Sequence, residues 1–285
     1  MSGRKIAAVA AVVAIAAAAA FGVKLYQNRD AAQRADAFLQ HTLGKLGDTH
    51  YQSASRSMSG VLTIHGLTLK PKGRPNEYRI GELVVHRYDN QHRTPNFAHI
   101  EARGVKLDMS SLPDPRAALF LGMMGYQNLT ADVEVNYNYK PAAKTVSVAF
   151  REDVKDMGEL KLDLDLNNVA VEQALFTYPA IELKRAQVTY RDESLIKRLL
   201  KMAAAQSGVS EKDLIARIQG QLDQKMAQTK TRLEAKALTE VKHFLDNRGS
   251  LTVSVEPSQP VRLAELKGLA PDTAAERLNI HVTSY

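Results

Sequence analysis

Few residues in this sequence are spaced for chemistry. Ser194-Leu195-Ile196-Lys197 has the S-x-x-K spacing in which a lysine one helical turn away can take a proton from a serine nucleophile. The penicillin-recognising enzymes that use it also need Ser-Asp-Asn and Lys-Thr-Gly elements, and this chain has neither, so Ser194 reads as a first-turn helix residue. Asp163, Asp165 and Asn167 imitate the opening of a calcium loop. The sixth position should then be Gly and the twelfth Glu, but Asn168 and Ala174 stand there, and alternation with four leucines makes these acids the wet face of a strand. Eight histidines lie at 41, 50, 65, 86, 92, 99, 243 and 281, none paired as H-x-H or H-x-x-x-H. His65 and His99 meet if their strands pair.

There is no Cys, which excludes disulfides, thiolate metal sites and a Cys nucleophile. No G-x-x-x-x-G-K, G-x-S-x-G or dinucleotide fingerprint is present. The reading is therefore non-enzymatic, with no catalytic residue, no cofactor and no metal site.

The elements that would position any site begin with an apolar run. Arg4 and Lys5 precede 18 residues, Ile6–Val23, of which ten are Ala, and Lys24 restores charge. A secretory h-region is about 7–15 residues and a spanning helix needs about 20. The length predicts an uncleaved signal anchor with Ile6, Val9, Val12, Val13, Ile15, Phe21 and Val23 as its strong apolar residues. The Ala-rich composition leaves open a signal peptide cleaved within Ala16–Ala20, which would release a soluble periplasmic protein. The basic flank puts the N-terminus in the cytoplasm and the bulk in a bacterial periplasm, with one span in the inner membrane. Residues 24–47 read as a juxtamembrane helix striped by Phe38, Leu39, Leu43 and Leu46.

Residues 48–285 read as one elongated periplasmic domain. In 128–139, Leu129, Ala131, Val133, Val135, Tyr137 and Tyr139 alternate with polar residues. After a turn at Lys140–Ala143, Val146, Val148 and Phe150 return, and Leu160, Leu162, Leu164 and Leu166 follow. Strands apolar on one face predict an antiparallel sheet with one solvated side. Phase changes at Gly66, Gly104 and Asn168 read as β-bulges, which would curve the sheet. A helical insertion at 192–246 holds a helix capped by Asp192 and stopped by Gly208. A longer one starts at Ser210, with Leu214, Ile218, Leu222, Met226, Leu233 and Val241 in its stripe. The fold class is thus α+β: an N-terminal membrane helix, then a curved, mainly antiparallel sheet covered by a long amphipathic helix.

Net charge is +7, and residues 24–127 carry 14 cations against 9 anions, an excess suited to anionic lipid near a membrane. Without aromatic interleaving, it does not suit nucleic acid. On Ser59–Leu69, Gly125–Leu129, Met157–Leu160 and Val188–Leu195, the chain resembles YdgA-like bacterial envelope proteins and, more distantly, AsmA-like ones. The resemblance implies inner-membrane anchoring and a part in envelope biogenesis or lipid movement, with no catalytic motif. Two readings of function follow. In one, Val133, Val135, Tyr137, Leu162 and Leu164 form an apolar sheet face that holds lipid. In the other, helix 210–246 docks an envelope protein in a tethered scaffold. Full packing of Val133, Val135, Leu162 and Leu164 beneath that helix favours the scaffold; an open apolar groove of several hundred Å² favours lipid.

Overall fold

Period-two alternation becomes strand because successive side chains then face core and water in turn. The computed structural model describes residues 31–44, 46–73, 77–92, 94–109, 112, 114–171, 178–229 and 231–285. It contains twelve strands among them, and every registered pair is antiparallel. The chain divides into two compact units, the second made of Met123–Gly125, Ala143–Val146 and Asp156–Tyr285.

The first unit opens with helix α1 (Ala31–Thr42), followed by β1 (Gly47–His50), β2 (Ser53–Arg56), β3 (Leu62–Pro71), β4 (Tyr78–Tyr88) and β5 (Phe97–Asp108). Helix α2 (Pro115–Met123), β6 (Asn128–Lys140) and most of β7 (Thr145–Val154) complete it. The strand order is β1-β3-β4-β5-β6-β7, with β2 also on β3. Register builds the core in rows: Leu62–Val85–Ile100–Val135, Ile64–Leu83–Ala102–Val133 and Leu67–Ile80–Val105–Ala131, all buried. Phe38, Leu39 and Leu43 of the first helical segment are buried too, and Phe38 meets Tyr88 edge-on at 5.4 Å.

Between the second and third rows, β3, β4 and β5 all shift phase at one line of glycines, Gly66–Gly81–Gly104. Gly66 and Gly104 take φ +61° and +62°, a left-handed backbone that costs a side chain strain. Relative to β6, Arg103 and Gly104 together oppose Asp132, whose Oδ1 accepts the Gly104 N–H at 2.7 Å. Asn168 is also left-handed (φ +57°), but it lies just beyond β8 and ends that strand.

The second unit holds β8 (Gly158–Asn167), β9 (Glu182–Asp192), α3 (Leu195–Ser207), α4 (Glu211–Gln228) and α5 (Arg232–Asn247). It continues with β10 (Ser250–Val255), β11 (Val261–Arg262), α6 (Leu263–Leu266), α7 (Pro271–Leu278) and β12 (Ile280–Ser284). Its order is β8-β9-β10-β12, with β11 on β9. Asp192 Oδ1 accepts the Ile196 N–H at 3.0 Å at the start of α3, and Gly208 ends it with φ +64°.

The long amphipathic helix over 210–246 is corrected: it is two helices. Thr231 opens α5 by accepting the Glu234 N–H on Oγ1 at 3.1 Å, so the chain turns after Gln228. The two helices run antiparallel, joined by Lys242–Asp223 (2.6 Å), Arg248–Glu211 (2.6 Å) and Thr239 donating to Met226 Sδ at 3.4 Å. They do not cover the sheet as one helix would. α4 buries no residue fully, and α5 alone packs on β12 and part of β10.

The membrane helix in the expected fold is corrected as well. Ile6, Val9, Val12, Val13, Ile15, Phe21 and Val23 lie outside the described residues, and no helix among the described residues is long and apolar enough to cross a membrane. The single-pass inner-membrane location expected from that run is corrected with it, since no such helix stands among the described residues.

Candidate functional site

Two surfaces concentrate chemistry, one in each unit. In the first unit, the wet face of β3–β6 gathers histidines and carboxylates from outward positions of neighbouring strands. His65 Nδ1 lies 3.4 Å from Glu82 Oε1. His86 donates from Nε2 to Glu101 Oε1 at 2.7 Å, and His99 from Nε2 to Glu134 Oε1 at 2.8 Å. The His86 and His99 rings stack with centroids 4.3 Å apart and planes at 22°. Arg103 donates through Nε to Glu101 Oε2 at 2.8 Å, which leaves Oε1 turned to His86.

Partial burial pushes the Glu101 carboxyl up, yet the hydrogen bonds from His86 and Arg103 outweigh it and hold the group below the usual glutamate range. Glu101, Arg103, Asp132, Glu134, Arg151 and Asp153 rim an open cleft of about 340 Å³ beside the ring pair. Four of these groups are carboxylates and two are guanidiniums, so the rim is acidic. His86, His99 and Glu101 each offer a ligand atom, all within 4.8 Å of one another, and among the described residues this is the set that could hold a metal ion.

The pair that meets is thus His86 with His99, whereas His65 faces Glu82. The β4–β5 register shifts between Val85 and Arg87, so that His86 and Arg87 both stand opposite His99. Alternation alone puts His86 and His99 outward; the bulge that juxtaposes them has no Gly or Asn to betray it. In the adjoining β4–β5 loop, Asp89 is buried and accepts from the Gln91 N–H at 3.0 Å, the Asn96 N–H at 2.8 Å and His92 at 2.7 Å. Burial raises the Asp89 carboxyl, and these donors more than reverse that.

The expected apolar face divides between the units. Val133 and Val135 are buried in the first unit's own core rows, and burial, with Tyr139 adding to it, pushes the Tyr137 hydroxyl up to about 12. Leu162 and Leu164 belong to the second unit. There, Leu160–Tyr190–Leu251, Leu162–Val188–Val253–Val282 and Leu164–Ala186–Val255–Ile280 share one face. The opposite face is polar, and Thr189 and Thr252 hydroxyls bond across it at 2.9 Å.

Helix α5 closes one side of the apolar face. Phe244 packs on Tyr190 at 6.1 Å, and Glu240 accepts from the Ser284 N–H and hydroxyl at 2.8 Å each. Val282 is accordingly 7% exposed, whereas Val253 is 37% and Val188 41% exposed, with Leu160, Leu162, Leu164 and Leu166 half-buried. The docking candidates Leu214, Ile218, Leu222 and Met226 are half-buried in α4, and Leu233 and Val241 half-buried in α5.

A family model described as "Uncharacterized protein" matches residues 151–285, a span that includes the whole of this apolar face. No curated protein matches the chain. Neither finding ties the chain to the YdgA-like or AsmA-like proteins.

Proposed function

We propose that this chain is a non-enzymatic binding protein whose second unit takes one lipid acyl chain along β8 and β9. The observation that carries the reading is the exposure of Val188 and Val253 within an apolar row whose end, Val282, is covered by α5. Water against these side chains is costly, and a ligand that replaces it gains about 25 cal/mol per Å² of apolar surface.

The dimensions favour a chain-like occupant over a protein. From Leu160 to Leu166, β8 runs about 20 Å, and three strands span about 10 Å, which gives a strip of about 200 Å². A stable protein interface uses about 800 Å² per partner. A narrow strip walled by a helix accommodates an extended acyl chain, whose length it matches. The docking-helix alternative has less support, because the apolar stripes of α4 and α5 are shared within the helical pair.

The test is titration of the full chain with cis-parinaric acid, a fluorescent C18 fatty acid. Saturable 1:1 binding, displaced by palmitate, is the expected result. If fluorescence does not saturate below the probe's micellar concentration, the lipid reading fails.

A further inference from the structure

We infer that His86, His99 and Glu101, with Glu134 beside them, form a binding site for a divalent transition-metal ion, zinc being the best fit. The site lies on the wet face of the first unit and is independent of the acyl-chain reading. Two imidazoles and a carboxylate are the donor types that zinc prefers over oxygen-seeking ions such as magnesium. Their ligand atoms already lie within 4.8 Å of one another. Around a four-coordinate zinc, donors at about 2.0–2.2 Å from the ion sit closer together than that, so the side chains must contract. His86 and His99 are half-buried, and their stacked rings must turn out of parallel to aim both nitrogens at one ion.

The exchange is simple. In the present arrangement each imidazole donates from Nε2 to a glutamate, His86 to Glu101 and His99 to Glu134. On binding, each neutral imidazole carries its proton on Nδ1 and turns the Nε2 lone pair to the ion. Glu101 Oε1 becomes the third donor, and Glu134, released from its hydrogen bond to His99, stays beside the site as an outer acceptor. Arg103 keeps its hold on Glu101 Oε2, which orients the ligating oxygen as outer partners of metal ligands do. The acidic cleft rim, with Glu101, Asp132, Glu134 and Asp153 against Arg103 and Arg151, attracts a cation.

A cross-strand network of hydrogen bonds serving stability alone is the competing account, and the experiment separates the two. Zinc is titrated into the full chain with a chromophoric competitor, and histidine side-chain NMR follows the same titration. One equivalent should bind, the His86 and His99 resonances should shift while that of His65 does not, and H86Q or H99Q should weaken binding at least ~10-fold. H65Q should bind as the unaltered chain does. Each variant is checked by circular dichroism, and the NMR readout on the unaltered chain needs no variant to fold. Absence of saturable binding, unshifted His86 and His99 resonances, or full affinity in a folded H86Q/H99Q chain overturns the assignment.

Discussion

Val188→Thr is the sharpest perturbation of the acyl-chain reading. Threonine has valine's shape and its preference for strands, and position 188 already faces solvent, so stability should move by less than about 0.5–1 kcal/mol. Binding should move more. At 41% exposure, Val188 offers on the order of 50 Å² to a ligand, or about 1.2 kcal/mol at 25 cal/mol per Å². Exchanging one methyl for a hydroxyl removes part of that. An acyl chain laid over the hydroxyl also strips it of water, at about 1–2 kcal/mol. The sum of about 1.5–2.5 kcal/mol is a Kd raised about 10–70-fold.

The single substitution is better than pairing it with Val253→Thr. Val188 and Val253 are direct cross-strand partners, and two hydroxyls there could bond each other as Thr189 and Thr252 do on the opposite face. The assay is the cis-parinaric acid titration, run beside thermal unfolding by circular dichroism. Thr189→Val, on the polar face, is the control and should leave Kd unchanged. A folded Val188→Thr chain that binds within about twofold of the original would refute the placement of the ligand on this strip.

Glu152 is buried, and burial alone raises its carboxyl above the ordinary value. The folded state therefore holds this proton to higher pH than the unfolded chain, so Glu152 costs stability progressively as pH rises above the unfolded value near 4.5. Glu152→Gln should raise the melting temperature at pH 8 and have little effect at pH 4, as read by circular dichroism. At Gly104, an added Cβ would meet Gly81 at an unstrained 3.8 Å, so Gly104→Ala should cost only the left-handed backbone, about 1–2 kcal/mol. Gly104→Val should cost more, because a branched side chain tolerates φ +62° worse; equal denaturation midpoints for the two would contradict this.

Much of the fold is written locally. The alternation of Leu129–Tyr137 and of Leu160–Leu166 specifies strands and faces, because side-chain direction in a strand depends on parity alone. Gly66 and Gly104 mark the phase shifts because few other residues adopt their backbone cheaply. The break between α4 and α5 was legible too, as Thr231-Arg232-Leu233-Glu234 is a capping box. The apolar spacing hides it, since two helices packed on each other keep their stripes turned inward across the break.

What parity cannot specify is which strand lies beside which, or in what register. His86 and His99 are both outward by sequence, but only the β4–β5 bulge stacks them, and only the β5–β6 register sets Glu134 against His99. Leu162 and Val188 are both apolar by sequence, but whether water reaches them depends on where α5 settles, and it settles over β12. Composition and alternation determined that this chain forms antiparallel sheet with amphipathic helices. Tertiary packing decided the two candidate sites, because contacts between residues far apart in sequence depend on register and helix placement, which local periodicity does not encode.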